Sequence, residues 1–323
     1  MSDGRPLFAF AFRSGEWRAP NTLAEVDAAV DGTDFIWVHL NLADTAAQAW
    51  LHRRPWPPDV VEMIAAPVQR GKLFITRERL YGHLRDFREE TDVTGLQAGS
   101  LSIAATEKLL VTGRRIPLRS VEELRRRVEA QAIAPSNPFG LITEFFRALN
   151  DIGEGLLQEA SERLRVLEAK VLKRERAGLS EGVLEIRRSS TEIARDMAYK
   201  RTAMLELTHE HQTLFPADEF ERFNHQIHRY AALVEDAQEF AERCQFLLEE
   251  LRAQVDQETN RSLYILTMFS AIFLPATLIG SIWGMNVVGA PFTSGPNGFW
   301  MVGGLIAASF ALVALILSRF RFF

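Results

Sequence analysis

Between Arg261 and Arg319 the chain carries no Asp, Glu, Lys, Arg or His. The hydrocarbon core of a bilayer is about 30 Å thick and takes about 20 apolar residues per helix. The uncharged region is long enough for two such helices. We read a membrane hairpin over residues 262–323, with a helix at 262–283, an external loop at 284–298 and a second helix at 299–318. The competing reading is a buried helical hairpin in a large soluble core. It fits poorly, because soluble helices of this length carry charge along one face.

The flanks give the hairpin an orientation. The link between its helices is uncharged, whereas the C-terminal "SRFRFF" holds Arg319 and Arg321. Positive residues stay on the inside, so both termini are expected in the cytoplasm and the loop outside. The N-terminal "MSDGRPLFAFAFRSGEW" lacks the basic start and apolar block of a signal peptide. Residues 1–261 are therefore expected to remain cytoplasmic. The single cysteine, Cys244, leaves no internal disulfide and fits a reducing compartment. A net charge of −5 gives no sign of a nucleic-acid partner.

Within residues 1–150 the sequence reads as an α/β domain. "PLFAFAF" alternates like a strand and "DFIWVHLNL" has strand composition. "KLFITRERLYGHLRDF" predicts a strand pair, and "LSIAATEKLLVTGRR" a hairpin with its turn near Thr106–Lys108. "SVEELRRRVEA" predicts a helix with a capping box from Ser120 to Glu123. "RRPWPPD" predicts a loop, on account of Pro55, Pro57 and Pro58. There is no glycine-rich phosphate loop, nucleophile elbow or other catalytic constellation, so an enzyme is not expected.

Residues 151–261 read as a helical funnel and stalk. Ile152, Leu156, Ala160, Leu164, Leu167 and Val171 keep three-four spacing, as do Ile186, Ser190, Ile193, Met197 and Met204 after a break at "AGLSEG". Pro216 and the acids behind it start a third helix. No breaker follows until Pro275, and a helix from Ala217 to Trp283 would be about 100 Å long at 1.5 Å per residue.

Along the first membrane helix, small polar residues stand at Asn260, Thr267, Ser270, Thr277 and Ser281, spaced by seven, three, seven and four. Such spacings keep residues on one helical face. A polar stripe in a membrane faces protein or water. In one reading the hydroxyls bond to their own backbone or a neighbouring helix and serve packing. In the other they line a watery pore, which one hairpin cannot enclose. The pore reading therefore requires a cyclic homo-oligomer. Leu263 and Leu274 share the face and would form apolar rings that gate by dewetting. Asp256 and Glu249 lie four and eleven residues before Asn260. They would repeat as carboxylate rings favouring cations at the cytoplasmic mouth, or else act as solvated stalk charges.

The stretch "YILTMFSAIFLPATLIGSIWGMN", followed by a short loop and a second membrane helix, resembles the CorA-type metal ion transporter superfamily. Its members carry a Gly-Met-Asn motif at the outer end of the first of two C-terminal membrane helices; here it is Gly284, Met285 and Asn286. Pro275 within the helix also matches. The resemblance implies a homo-pentamer with a central pore, whose selectivity filter at the outer mouth is Gly284, Met285 and Asn286. Gly284 lets the chain turn, and Gly280 and Gly284 form a small-xxx-small pair suited to close helix contact. The Asn286 amide oxygen would accept hydrogen bonds from a cation's hydration shell.

The loop "VVGAPFTSGPNG" has no acid, unlike the acidic loop usual in magnesium-channel members. With "FIWVHLNLAD" and "ATEKLLVTGRR" it is similar to the ZntB zinc-transporter branch, although position 288 is valine where that branch has glycine. The resemblance then implies Zn²⁺ as the transported ion, coupled to protons, across a bacterial inner membrane. Mg²⁺, Co²⁺, Ni²⁺ and Cd²⁺ are the alternative ions, and no cofactor is implied. A CorA-like Mg²⁺/Co²⁺ channel is the second hypothesis. The third is a membrane-anchored scaffold or sensor. For tight metal binding, His225 and His228 share a helical face, whereas His209 and His211 point apart. Solvated histidines are the alternative. Proton coupling would need Glu249, Asp256 or a funnel histidine, since the membrane segments hold no titrating group.

Overall fold

The computed structural model describes residues 4–66, 72–76, 79–88, 96–172, 178–210, 216–285, 291 and 297–319. The chain divides into two units, Met1–Leu248 and Glu249–Phe323.

The first unit is built on a seven-stranded sheet. Its strands are β1 (Phe8–Arg13), β2 (Glu16–Arg18), β3 (Phe35–Asn41), β4 (Lys72–Ile75), β5 (Leu80–Phe87), β6 (Ala98–Ala105) and β7 (Leu109–Arg114). They lie in the order β2-β1-β3-β7-β6-β5-β4. Ile36 to Asn41 pair in parallel with Leu109 to Arg114, while the other neighbouring strands pair antiparallel. The expected strand pair and hairpin are thus β4–β5 and β6–β7.

Alternation along the strands makes two cores. Phe10, Phe12, Phe35 and Trp37 point to one face; Ala9, Ala11, Ile36 and Val38 point to the other. The second face is covered by α1 (Leu23–Ala29), α2 (Thr45–Arg53) and α3 (Pro58–Ala65), which contribute Val26, Trp50 and Ile64. The first face is covered by α4 (Arg119–Glu129), α5 (Pro138–Leu172), α6 (Leu179–Glu210) and the start of α7 (Ala217–Gly284), through Leu124, Phe146, Met197 and Tyr230. β3 is buried from Phe35 to Leu40, which explains its unbroken apolar composition. Each large side chain buried here contributes about 1.5–3 kcal/mol.

Three local expectations change. The capping box does not form: α4 starts one residue before Ser120, with Leu118 as an N-cap that makes no side-chain cap bond. Leu118 is fully buried and pinned by an antiparallel bridge to Arg88. This brings Ser120 into the first turn, where its hydroxyl bonds to Asp86 at 2.5 Å instead. In "RRPWPPD", Arg53 closes α2 and Pro58 opens α3, where a proline's missing N–H costs nothing. The helical pattern read from Ile152 begins earlier, at Pro138, since Asn137 Oδ1 accepts from the Gly140 N–H at 2.8 Å as a helix cap.

The second unit holds the last part of α7 and α8 (Gly298–Arg319). Both α7 and α8 contain stretches long and apolar enough to cross a membrane. α7 continues through Pro275. That proline has no N–H, so the Ala271 carbonyl loses its usual donor without ending the helix.

Candidate permeation path

Half-buried residues on the second unit's helices fall into two rows. Past Arg261 they are Tyr264, Met268, Ala271, Ile272, Pro275, Ala276, Ile279 and Trp283 on α7, and Gly298, Val302, Ile306, Ser309, Phe310, Val313 and Leu317 on α8. The rings of Phe273 and Phe310 stand perpendicular with centroids 6.3 Å apart. These rows are where the two helices shield one another.

The polar stripe lies elsewhere. At 3.6 residues per turn, Asn260, Thr267, Ser270, Thr277 and Ser281 centre about 140° round α7 from its half-buried row. All five are exposed. Leu263 and Leu274, on the same face, are 55% and 71% exposed. The stripe therefore does not serve packing between the two helices of one hairpin.

The hydroxyls are nevertheless engaged. Thr267, Ser270 and Thr277 donate to the carbonyls of Leu263, Leu266 and Phe273 at 2.8, 3.0 and 2.8 Å. A hydroxyl is one donor and two acceptor lone pairs. With the proton turned back into the helix, each group shows only oxygen lone pairs to its surroundings. The two readings of the stripe thus do not exclude one another. The backbone bond satisfies the hydroxyl, and what it leaves exposed is a row of acceptors.

Glu249 and Asp256 are exposed. Gly284 is the last residue of α7, and Met285 is 56% exposed. Asn286 lies outside the described residues. Among the described residues, a Cβ built on Gly280 or Gly284 would meet nothing within 4 Å. Trp283, beside the motif, donates its indole N–H to the Pro291 carbonyl at 2.9 Å. Sequence reading passed over this tether, since nothing in the spacing selects a backbone acceptor eight residues away.

Of the histidines, His225 and His228 are exposed. His225 lines a cavity of about 490 Å³ with Glu144, Glu219 and Arg222. The His209 side chain and His211 lie outside the described residues. No three His, Cys, Asp or Glu side chains among the described residues are placed to hold a metal ion. Cys244 is buried, and burial pushes its thiol up to about 11, which makes it unreactive.

This architecture defines a membrane protein with a three-layer α/β domain, one long helix and two candidate spans. The chain matches the family model of the CorA-like Mg²⁺ transporter protein over residues 32–319 and belongs to that family, whose members are transporters and not enzymes. It is 24% identical to the divalent cation transporter CmaX of Pseudomonas aeruginosa over 289 residues, 88% of this chain and 87% of that one. It is 23% identical to the zinc transport protein ZntB of Yersinia enterocolitica over 274 residues, 84% of this chain and 83% of that one. The structure of full-length CmaX superposes with a TM-score of 0.83 at 22% identity, covering 100% of this chain and 99% of that chain.

Proposed function

We propose that this divalent cation transporter of the CorA family carries Zn²⁺ across a bacterial inner membrane, coupled to protons, through a homo-pentameric pore. In this reading both termini are cytoplasmic. The ion passes Asn286, the filter formed with Gly284 and Met285, then Ser281, Thr277, Ser270 and Thr267. Leu274 and Leu263 are the apolar rings. Asn260, Asp256 and Glu249 line the inner mouth.

The observation that carries the proposal is the exposed row of hydroxyl oxygens turned away from α8, with protons spent on their own helix. Water bound to a cation points its hydrogens outward, and a wall of acceptors suits it. No charged side chain between Arg261 and Arg319 is present to offset removal of that water, which divalent ions resist. Hydration water therefore stays with the ion through the span. Zinc is favoured over magnesium by the acid-free loop and by the zinc transport protein among the relatives. A Mg²⁺/Co²⁺ channel is the second reading, favoured by the family model.

Flux into liposomes, measured with Zn²⁺ and Mg²⁺ with and without a pH gradient, tests this. Zinc uptake should exceed magnesium uptake, rise with an inward proton gradient and fall at least tenfold in Asn286→Ala. Zinc uptake indifferent to the gradient would remove proton coupling. Unchanged uptake in Asn286→Ala would remove the filter, and no uptake of either ion by the unaltered chain would favour a membrane-anchored scaffold or sensor.

A further inference from the structure

The first unit buries an ionic cluster that the transport path does not use. On β5, Asp86 is 1% exposed and Lys200 of α6 is fully buried. Lys200 Nζ bonds to Asp196 one turn earlier and lies 5.1 Å from the centre of the Phe87 ring. The other oxygen of Asp196, Oδ1, is buried without a hydrogen-bond partner among the described residues; Arg85 Nε lies 3.8 Å from it. Arg85 also reaches Glu192 at 3.5 Å. From α4, Ser120 Oγ bonds to Asp86 Oδ2 at 2.5 Å, and the Phe87 N–H donates to Oδ1 at 2.7 Å. From α7, the buried Tyr230 hydroxyl donates to the Phe146 carbonyl of α5 at 2.8 Å.

The charges in this seam do not balance. Two buried carboxylates stand against one buried ammonium, which pairs with Asp196, and the guanidinium of Arg85 is a third exposed at the edge. Asp86 makes no ion pair among the described residues. A buried carboxylate without an ion-pair partner resists ionisation, and burial pushes Asp86 up to about 6, against the opposing pull of the Ser120 hydroxyl, Lys200 and the backbone N–H groups of Phe87 and Ser120. When Asp86 takes up a proton, its bond to Ser120 can reverse direction and Lys200 belongs to Asp196 alone. One proton thus changes what holds β5 to α4 and α6, on the face of the sheet where α7 also packs.

We propose that Asp86 is a proton-operated switch in the seam between sheet and helices, through which cytoplasmic acid sets the rate of cation transport. This rests on the transport reading above and on residues 1–248 lying in the cytoplasm. It differs from symport because the proton binds off the path and is not carried with the ion.

The test uses the full chain in liposomes, with Zn²⁺ as the probe and pH equal on both sides, so that no gradient drives uptake. Between pH 7.5 and 5.5 the initial rate should change at least threefold with a midpoint near 6. Asp86→Asn should abolish this response and at pH 7.5 match the wild type at pH 5.5. Ser120→Ala keeps the carboxylate but removes a bond to its ionised form, so it should move the midpoint upward; this variant also serves if Asp86→Asn fails to fold. A wild-type rate that is flat with pH, or a response that survives unaltered in both variants, overturns the switch. Thermal unfolding of the solubilised chain separates this from failure of the transport reading. No Zn²⁺ or Mg²⁺ flux at any pH, with a midpoint near 6 in unfolding that Asp86→Asn removes, overturns transport, and rate control with it, while upholding the titration.

Discussion

Residues Met1–Leu248 and Glu249–Phe323 both carry serines and threonines in apolar surroundings, and they differ in where the hydroxyls find partners. In the first unit helical hydroxyls such as Thr143 and Ser190 also donate to their own helix, but those on the strands and at helix starts tie distant elements together. Ser102 donates to the Ile64 carbonyl at 2.9 Å. Thr112 receives the Trp37 indole at 2.9 Å and meets His39 Nδ1 at 2.8 Å. Ser120 holds Asp86. In the second unit Thr259, Thr267, Ser270, Thr277 and Ser309 each donate to a carbonyl three or four residues earlier. A packed interior supplies partners from other elements, and there the hydroxyl fixes tertiary structure. A bare helix in lipid supplies only its own backbone, so the hydroxyl closes on itself and leaves its oxygen exposed. On the transport reading proposed above, one residue type is structural in one region and functional in the other.

The largest break in this comparison should come from the interior. Trp37→Ala removes a fully buried ring and should cost about 3–5 kcal/mol in denaturant unfolding. A cost below 1 kcal/mol would mean that the sheet core does not hold the first unit together.

Acid should act next. His39 is buried, and burial, reinforced by Arg114, lowers it to about 3. Its folded form excludes a proton that the unfolded chain accepts below the ordinary value of 6.5. Stability is therefore intact above pH 6.5 and lost as pH falls toward 3, by about 2 kcal/mol between 6.5 and 5. His39→Gln should lose less over that interval, as read from unfolding free energies at the two pH values. Asp86 has the opposite sign, because its raised folded value favours the protonated native state as pH falls from above 6 toward 3.8.

The smallest effect on stability sharpens the contrast most. Thr277→Val removes a hydroxyl whose hydrogen bond among the described residues is to its own helix. It should change unfolding by less than about 0.5 kcal/mol, yet lower Zn²⁺ flux severalfold. Equal flux would return the stripe to packing alone.

The sequence made the second unit legible because a membrane leaves few solutions. An uncharged run, a one-faced polar stripe and a motif at the helix end required no knowledge of neighbours. The strands of the first unit were legible as periodicity. Their order was not, because the parallel meeting of Ile36 with Leu109 is a long-range choice that no local pattern encodes. Ser120 misled for the same reason. As the first residue of "SVEE" it looked like a cap, and only a buried carboxylate from another strand draws it away. Asn137 before Pro138 was a readable cap that the three-four count from Ile152 overlooked. Asp196 and Lys200 stood four apart in plain view, but nothing local showed that both would be buried.

The parallel seam between β3 and β7 also imposes an order of events on synthesis. Strands β4 to β7 can zip by short-range hairpins, but β1 to β3 stay half-finished until residue 114 has left the ribosome, and such distant closure is slow. Both candidate spans are translated more than a hundred residues after that point. The nascent sheet can therefore close in water before the first greasy segment appears, and the insertion machinery receives a chain whose aqueous half has already taken shape.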